Sequence, residues 1–388
     1  MKTANIALIG TGFAGKAHAV ALAAMPILFS PPVSLRRKVV VDTTEDLAAS
    51  ARARFGFEEW STDWRAVVAR EDIDVVHICS PNETHHPIAV AAARAGKHIL
   101  CEKPMASTSS EAREMTEAAE AAGVVAMIGL NFRHTPAVVL ARQLIDEGRI
   151  GEVTSYRGHF MQDWSADPGT PLSWRFQKAH GGGALGDIGA HILDMTRFLL
   201  GDIAAVSAVV RTIVKDRPLH TGAFDKFGAA DKNTVGPRGP VDVDDEVQAL
   251  LRFTSGVIGS LETTRNAYGR SNWLGFEIHG TRGSIVFDYH RLNQLDVAFA
   301  DDVSRLRGFR TIFTGPEHPS GEALWPLQGM GTGFSDIKMI EMDRLSRALA
   351  GEQAAAPTFR DGWQVVRISD AILRSGEEQR WVLLDEIA

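Results

Sequence analysis

The stretch Asn5-Ile-Ala-Leu-Ile-Gly-Thr-Gly-Phe-Ala-Gly-Lys-Ala-His18 decides the fold of the first part of the chain. The apolar run Ile6 to Ile9 predicts a buried strand, and the alanine-rich segment after the glycines predicts a helix. Between them lies Gly10-x-Gly12-x-x-Gly15, the spacing of a dinucleotide-binding turn. A glycine-rich turn without a ligand is the alternative, and the strand, turn and helix context favours the binding turn.

Each glycine of this turn has a separate physical task. Gly10 permits a tight turn, Gly12 lets the backbone approach a pyrophosphate, and Gly15 lets the helix pack closely on the strand. Phe13 and Ala14 open the helix, whose free N–H groups and partial positive charge attract phosphate. The turn therefore predicts a dinucleotide site.

Length and composition limit the function classes. A chain of 388 residues exceeds the usual size of one hydrophobic core, so two domains are expected. The net charge of -7 argues against a nucleic-acid partner. Two cysteines, Cys79 and Cys101, indicate no disulfide framework and favour a reducing cytoplasm. No segment reaches the ~18 uninterrupted apolar residues of a membrane span, so we expect no membrane association.

The second predicted strand, 38–41, ends at Asp42. In a dinucleotide fold a carboxylate here accepts hydrogen bonds from the adenosine ribose and repels a 2′-phosphate, which favours NAD over NADP. The neighbouring Arg36, Arg37 and Lys38 are the reservation, because they could neutralise such a phosphate. A solvated loop face is the other interpretation of this basic cluster.

Further strands are predicted to deliver polar side chains to the carboxyl edge of a parallel sheet, where ligands bind. Ser80 and Asn82 follow one strand, Glu102 and Lys103 the next, and Asn131 the last. Lys103 precedes a proline and could hydrogen-bond an alcohol oxygen or take part in its proton transfer. For His85, a place near the cofactor and a role in capping or solvation both remain open.

Local patterns predict the remaining organisation. Pro26 is expected to end the first helix, and 60–69 to form a short helix. From residue 151 alternating strands indicate a large, mostly antiparallel open sheet, partly covered by a helix over 185–200. The predicted domains are an α/β Rossmann domain, 1–130, and an α+β domain, 131–388. Two late helices, 336–350 and 361–374, are expected to pack back on the first domain.

The segment Gly181 to Asp194 carries the second chemical signal. Asp187 and His191 are four residues apart, so in an α-helix both project from one face, and a carboxylate there can orient an imidazole base. The alternative is an ordinary solvent-facing pair. A zinc site would need a third ligand, for which His180 is a poor candidate, so no metal is expected.

These motifs together resemble the glucose-fructose oxidoreductase and inositol dehydrogenase family, written Gfo/Idh/MocA. The resemblance rests on the glycine turn, Ser80-Pro-Asn82, Glu102-Lys-Pro104 and Gly186-Asp-x-x-x-His191. It implies NAD(P)-dependent redox at a sugar or cyclitol carbon, with Lys103, Asp187 and His191 as the catalytic set. In that set His191 is the base, Asp187 its partner, and Lys103 is bonded to the reacting oxygen.

The resemblance also implies the remaining site residues. The implied cofactor residues are Gly10, Gly12, Phe13, Ala14, Gly15, Asp42, Ser80, Asn82, His85, Glu102, Lys103, Asn131, Trp174 and Arg175. The implied substrate residues are Lys103, Arg133, Gln162, Asp163, Trp164, Asp187 and His191. Trp164 and Trp174 suit the apolar face of a pyranose, although burial in a core would explain them equally well.

Within the family, 162–168 and 171–176 resemble the members that oxidise levoglucosan. The implied reaction is NAD-dependent oxidation of the C3 hydroxyl of levoglucosan or a related pyranoside. An inositol dehydrogenase, a glycoside 3-dehydrogenase and an NAD-sensing regulator on the same fold are the alternatives, and the retained Lys103, Asp187 and His191 argue against a regulator. The open sheet implies a homo-oligomer, a dimer or a tetramer.

Overall fold

The computed structural model describes residues 2–219, 236–353 and 355–387. The chain forms two compact units. The first combines Met1–His134 with Thr332–Val366, and the second combines Thr135–Gly331 with Arg367–Ala388. The first boundary lies close to the expected one at residue 130. The first unit also takes 332–366, which the sequence-based division had placed in the second domain.

The first unit contains a six-stranded sheet in the order β3-β2-β1-β4-β5-β6, with all strands parallel. This confirms the predicted Rossmann fold. The strands are β1 Lys2–Ile9, β2 Val33–Val41, β3 Glu59–Ser61, β4 Val75–Ile78, β5 His98–Cys101 and β6 Ala126–Ile128. The helices are α1 Phe13–Leu28, α2 Glu45–Phe55, α3 Trp64–Val68, α4 His85–Arg94 and α5 Ser109–Ala122.

The register of this sheet aligns the strand ends. Ile9 lies opposite both Val41 and Ile78. Ile78 lies opposite Cys101, which lies opposite Ile128. The residues that follow these five therefore leave the sheet from one row, at its carboxyl edge.

Two local predictions in this unit are wrong. Helix α1 continues through Pro26 to Leu28. Pro26 lies in the last turn of α1, where it removes only one helical N–H, so the helix continues past it. The predicted helix over 60–69 begins instead as strand β3, which pairs with β2, and only α3 is helical.

The second unit is built on a nine-stranded sheet in the order β16-β15-β14-β13-β7-β12-β11-β8-β17. Its pairs are antiparallel except for β7 with β12, so the mostly antiparallel prediction is confirmed. The sheet strands are β7 Val153–Met161, β8 Ile203–Arg211, β11 Glu246–Phe253, β12 Ile258–Thr264, β13 Trp273–Gly280, β14 Gly283–Asp288, β15 Gln294–Phe299, β16 Arg310–Phe313 and β17 Val382–Leu383. A separate pair is β9 Asp216–Pro218 and β10 Arg238–Pro240. The helices are α6 Pro136–Asp146, α7 Ala190–Leu200 and α8 Gly321–Leu324.

The predicted helix over 185–200 has two parts. Leu185–Gly189 is a π-helical turn, and α7 follows it directly. A π turn bonds each residue to the fifth one along, so the face relation assumed for an α-helix does not apply strictly here.

The two late helices are α9 Phe334–Leu349 and α10 Phe359–Glu378. Helix α9 packs within the first unit, where the Ser346 hydroxyl bonds both the N–H and the carbonyl of Val33, at 3.0 and 2.8 Å. At the start of α10, the Phe359 carbonyl accepts a hydrogen bond from Thr116 of α5 at 3.2 Å. None of the helices in the described ranges is long and apolar enough to cross a membrane.

The β11 strand shows how the large sheet divides its faces. Val247, Ala249, Leu251 and Phe253 are buried, while the residues between them are exposed. Strands β8, β11 and β12 each leave a large apolar side chain exposed. These are Val209, Leu250 and Ile258, which are 65, 55 and 64% exposed.

A pair of glycine substitutions tests the packing at the end of β1. Gly10 and Gly96 both have positive φ, +94° and +70°, so alanine strains the backbone at either, by about 1–2 kcal/mol. A Cβ at Gly10 would also lie 2.6 Å from the Cys79 carbonyl, whereas no atom lies within 4 Å at Gly96. We expect Gly10→Ala to destabilise the protein by roughly 2 kcal/mol more than Gly96→Ala, measured by urea denaturation. Equal urea midpoints would contradict this packing.

Candidate active site

Two glycines of the turn in the first unit, Gly10 and Gly15, leave no room for a side chain. A Cβ at Gly10 would lie 2.6 Å from the Ser80 nitrogen, and one at Gly15 would lie 2.0 Å from the Gly10 carbonyl oxygen. Gly12 precedes α1, and Phe13 and Ala14 form its first turn, which contains no acidic residue. The turn thus brings the sheet edge and a helix N-terminus together with bare backbone, which suits a pyrophosphate.

Asp42 is held beside this turn. One oxygen of its carboxylate accepts hydrogen bonds from the Thr11 N–H, at 3.0 Å, and from the Thr11 hydroxyl. The other oxygen accepts the Thr43 N–H at 2.7 Å. The half-buried carboxylate is therefore fixed at the end of β2, where the ribose of a dinucleotide is recognised in this fold.

The basic cluster next to Asp42 is already partnered. Arg36 pairs with Glu58 at 2.5 Å, and Lys38 pairs with Glu59 at 2.6 Å. Arg37 donates to the Phe55 carbonyl at 2.8 Å. Of the two interpretations, the structure therefore favours a solvated, ion-paired surface over a site for a 2′-phosphate.

His85 forms a buried tie between two loops. Its ring nitrogens lie 2.9 Å from the carbonyl oxygens of Ser80 and Pro104, which belong to the loops after β4 and β5. Burial lowers the pKa of His85, so its neutral ring donates to one of these carbonyls. Ser80 also bonds the Thr84 hydroxyl at 2.5 Å, and Asn82 is buried nearby in the chain.

Glu102 does not stay at the sheet edge as an isolated carboxylate. Its Oε1 lies 2.5 Å from Lys338 Nζ of α9 and 2.9 Å from His18 Nε2 of α1. Burial alone would raise the pKa of Glu102, but Lys338 and His18 bring it well below the usual value. The structure therefore places this predicted cofactor residue in a buried charge network.

Two more side chains complete this network. Lys338 also pairs with the fully buried Glu341 at 2.9 Å. His18 Nδ1 lies 3.1 Å from Nδ1 of His77, whose pKa is well below its usual value because of burial and the charges of His18 and Lys338. His77 is therefore neutral, and its Nδ1 lies within hydrogen-bonding distance of His18 Nδ1.

Lys103 follows Glu102 directly and is half-buried. Its backbone N–H donates to the Glu102 carboxylate at 3.2 Å, and its peptide bond to Pro104 is cis. Arg133, predicted to bind substrate, is buried and lies 3.5 Å from Asp361. Asn131 is 1% exposed, and its side-chain nitrogen has no hydrogen-bond partner among the described residues.

In the second unit the π turn carries Asp187, and the first turn of α7 carries His191. His191 is buried, and its ring lies 6.2 Å from that of Phe160. Asp187 Oδ2 lies 3.6 Å from Nη1 of Arg265, a fully buried arginine that follows β12. The predicted partner of the base is thus itself next to a buried cation.

The remaining predicted residues lie in the substrate segment, residues 162–176. Gln162 accepts the Trp164 indole N–H at 2.8 Å and donates to Asn272 at 2.7 Å. Asp163 accepts the Gly269 N–H at 3.1 Å.

The aromatic residues of this segment are partly packed. Trp164 packs against a small core of Phe176, Val241 and Val243, so the core interpretation accounts for part of its surface. The Arg175 guanidinium lies over the Trp174 ring at 4.3 Å.

Sequence reasoning missed Lys338 and Arg265. Lys338 is 236 residues from Glu102. Arg265 lies on a different strand end from the π turn that carries Asp187, far from it in the sequence. Nothing in the local pattern around either residue distinguishes it from a surface cation. Among the described residues no group of three or more His, Cys, Asp or Glu side chains could hold a metal ion.

The residues of the first unit fit a bound dinucleotide. The backbone packs too closely at Gly10 and Gly15 for a Cβ, Asp42 is fixed beside the turn, and the Asn131 amide nitrogen is buried without a partner among the residues described. A buried polar group of this kind normally has a partner. A ligand at the sheet edge would supply one.

Two family models match the chain. Residues 4–130 match the oxidoreductase family with an NAD-binding Rossmann fold, and residues 138–286 match the GFO/IDH/MocA C-terminal domain. The matched regions cover most of both units.

Known proteins are similar along the whole length. The chain is 50% identical over 390 residues to levoglucosan dehydrogenase of Pseudarthrobacter phenanthrenivorans, with all of both chains covered. Inositol 2-dehydrogenase of Rhizobium meliloti is 27% identical, covering 98% of this chain and 99% of its own. A levoglucosan dehydrogenase structure in complex with NADH and levoglucosan matches with a TM-score of 0.93 at 49% identity, covering 99% and 100%.

Removing the cation of the buried network tests its energetic role. Lys338→Met leaves the Glu102 carboxylate buried without its ammonium partner, so we expect a loss of roughly 3–5 kcal/mol in unfolding free energy. Arg360→Met is the matched control. It removes an exposed ion pair with Glu120 in the same unit and should cost at most about 1 kcal/mol. Similar urea midpoints for the two variants would refute the proposed cost.

Proposed function

Because the chain belongs to the Gfo/Idh/MocA family of NAD-dependent oxidoreductases, we propose that it oxidises the C3 hydroxyl of levoglucosan or a related pyranoside to the 3-keto sugar. The observation that carries the proposal is the 50% identity to levoglucosan dehydrogenase over the full chain. Solved structures of that enzyme contain NADH with levoglucosan and with L-sorbose. Both are uncharged polyhydroxy compounds.

NAD, when bound, supplies the two-electron acceptor for this oxidation. The glycine turn and the N-terminus of α1 would hold its pyrophosphate, and Asp42 would accept hydrogen bonds from its ribose. Asn131, with its buried amide nitrogen, is a further candidate contact. Glu102 stays among the proposed cofactor residues, with Oε1 of its carboxylate held by Lys338 and His18.

Removing two electrons from the alcohol carbon makes its hydroxyl acidic, so a base must accept the proton. We assign this task to His191, whose neutral imidazole can accept a proton near pH 7. Asp187 stabilises the imidazolium that forms. Lys103 carries a positive charge that stabilises the negative charge developing on the reacting oxygen.

The substrate segment offers neutral and polar contacts suited to a sugar. Besides its bonds to Asn272 and Trp164, the Gln162 amide has a second N–H and a second carbonyl lone pair, and the Trp164 ring is partly accessible. Sugar rings pack their C–H faces on aromatic rings. Arg133 stays among the proposed substrate residues, and its guanidinium also lies 3.5 Å from Asp361.

Two enzymatic alternatives remain within the family. An inositol dehydrogenase is represented by the 27% identical relative, and a cyclitol presents similar hydroxyls. A glycoside 3-dehydrogenase would perform the same oxidation on a different sugar. The family assignment makes the chain an oxidoreductase, so the regulator alternative is set aside.

We also propose that the chain forms a homo-oligomer, a dimer or a tetramer, through the large sheet. Val209, Leu250 and Ile258 lie on the three adjacent strands β8, β11 and β12, and each is more than half exposed. The register places them on one face of the sheet at diagonal positions, and exposed apolar side chains grouped on a sheet face favour coverage by a second protein.

The reaction is tested by NADH formation with a panel of sugars and inositols. We expect levoglucosan to be oxidised in preference to myo-inositol, with a 3-keto product identified by NMR. His191→Asn should lower kcat by about 10²–10⁴-fold, because it removes the base, while NADH binding persists. His86→Asn is the control, since His86 is partly exposed and pairs with Glu114.

Preference for an inositol would replace levoglucosan with the cyclitol alternative. A His191→Asn variant that retains wild-type turnover would remove the base from the proposed mechanism.

The oligomer is tested by sedimentation velocity. Leu250→Asp and Val209→Asp place charges on the proposed interface, so we expect each to shift the protein toward smaller species. Ile27→Asp changes an 82% exposed residue of α1 in the first unit and should have no such effect. A monomeric wild-type protein, or no change in either sheet variant, would contradict the proposal.

A further inference from the structure

We infer that Arg265 is a positioning residue for the proposed reaction. Its guanidinium fixes the Asp187 carboxylate and the rings of Trp164 and Phe176 in one arrangement. The inference rests on the proposed function, because that function assigns Asp187 to the reaction. Arg265 itself acts through these neighbours.

Arg265 is fully buried, and its guanidinium is a cation. A buried charge is tolerated only where it is paired and hydrogen-bonded. Arg265 donates to the carbonyl oxygens of Arg175, at 3.2 Å, and Asp244, at 3.4 Å. Its nitrogens lie 3.6 Å from Asp187 Oδ2 and 3.9 Å from Asp245 Oδ1.

Of these two carboxylates, Asp245 is fixed independently of Arg265. Its Oδ2 accepts the N–H groups of Ile213, at 2.8 Å, and Val214, at 2.9 Å. Asp187 lies instead on the π turn, where its orientation is not dictated by a regular sheet. Arg265 is therefore a buried cation close enough to influence where the Asp187 carboxylate points.

Two adjacent residues, Asp244 and Asp245, hold the backbone of the π turn and of Arg265. The Asp244 carboxylate accepts the Leu185 N–H at the start of the π turn, at 2.7 Å. The Asp245 carbonyl accepts the backbone N–H of Arg265 at 3.1 Å. The π turn and the arginine are thus built on adjacent residues, which fixes their separation.

The guanidinium also contacts the substrate segment. Its central carbon lies 5.3 Å from the Trp164 ring and 5.1 Å from the Phe176 ring, within the range of cation–π attraction. One side chain therefore couples the partner of the proposed base to an aromatic ring proposed to contact the sugar.

A second buried arginine supplies a matched control. Arg217 is also fully buried and lies over the Phe176 ring at 4.0 Å. Its hydrogen bonds go to the carbonyl oxygens of Ser165, at 2.7 Å, and Asp167, at 3.0 Å. Arg217 supports the same segment, but its hydrogen bonds do not reach Asp187.

The contact between Arg265 and Asp187 is tested without substrate, by a double-mutant cycle of thermal unfolding. Arg265→Met leaves Asp187 without its cation, so we expect Tm to fall by roughly 6–12 °C. In an Asp187→Asn background, Arg265→Met should lower Tm by about half as much or less. Arg217→Met should cost the same in both backgrounds. If Arg265→Met does not fold, Arg265→Lys is used in the same cycle.

The functional consequence is tested in the pH profile of levoglucosan oxidation. Arg265→Met should lower kcat about tenfold or more and leave the KM for NAD within twofold. Loss of a nearby positive charge favours protonation, so the acid limb of kcat/KM should move to higher pH by about one unit. Arg265→Lys keeps the charge and should return the acid limb to its wild-type pH. Arg217→Met should leave the acid limb at its wild-type pH.

Additive Tm changes for Arg265→Met and Asp187→Asn would overturn the inference. An acid limb that shifts equally in Arg265→Met and Arg217→Met would do the same. A wild-type protein that oxidises no sugar would defeat the proposed function instead, and the unfolding cycle would still decide whether Arg265 fixes Asp187.

Discussion

The Glu102 carboxylate is buried one residue before the proposed catalytic lysine, and a buried charge has to be neutralised where it lies. Lys338 does this from a helix 236 residues later in the chain. The end of β5 and helix α9 are therefore held by one ion pair. Gly129 leaves space for the Glu102 carboxyl group, because a Cβ at this position would lie 2.9 Å from it. The geometry at Lys103 consequently depends on a late segment of the sequence.

The second unit also contains a buried charge that has to be neutralised, but this charge is positive. There the buried group is the Arg265 cation, and carboxylates and carbonyl oxygens surround it. In the first unit a proposed catalytic side chain follows a buried ion pair directly, and in the second unit a proposed catalytic carboxylate is itself part of one. Such contacts add little net stability compared with apolar packing, but breaking one side of them is costly. Their value lies in specifying one arrangement of the groups that they contact.

Local patterns in the sequence were sufficient for the glycine turn, the strand ends and Asp42, because each depends on neighbours within a few residues. They were insufficient where a distant partner decides the outcome. The charge at Glu102 gave no sign of its engagement by Lys338, and the surroundings of Asp187 gave no sign of Arg265. The spacing of Asp187 and His191 suggested a regular helix, whereas the structure forms a π turn. Pro26 misled because its effect depends on its distance from the end of α1.

The π turn over 185–189 has a consequence for how this segment can vary in length. A π turn is equivalent to an α-helical turn that contains one additional residue. Loss of Ile188 or Gly189, which lie between Asp187 and α7, would shorten the turn by one residue and rotate Asp187 by about 100° relative to α7. A substitution in this turn, unlike a deletion, would not rotate Asp187 relative to α7 in this way. The number of residues in this turn, more than their identity, is then the trait that a lineage retaining this geometry has to inherit.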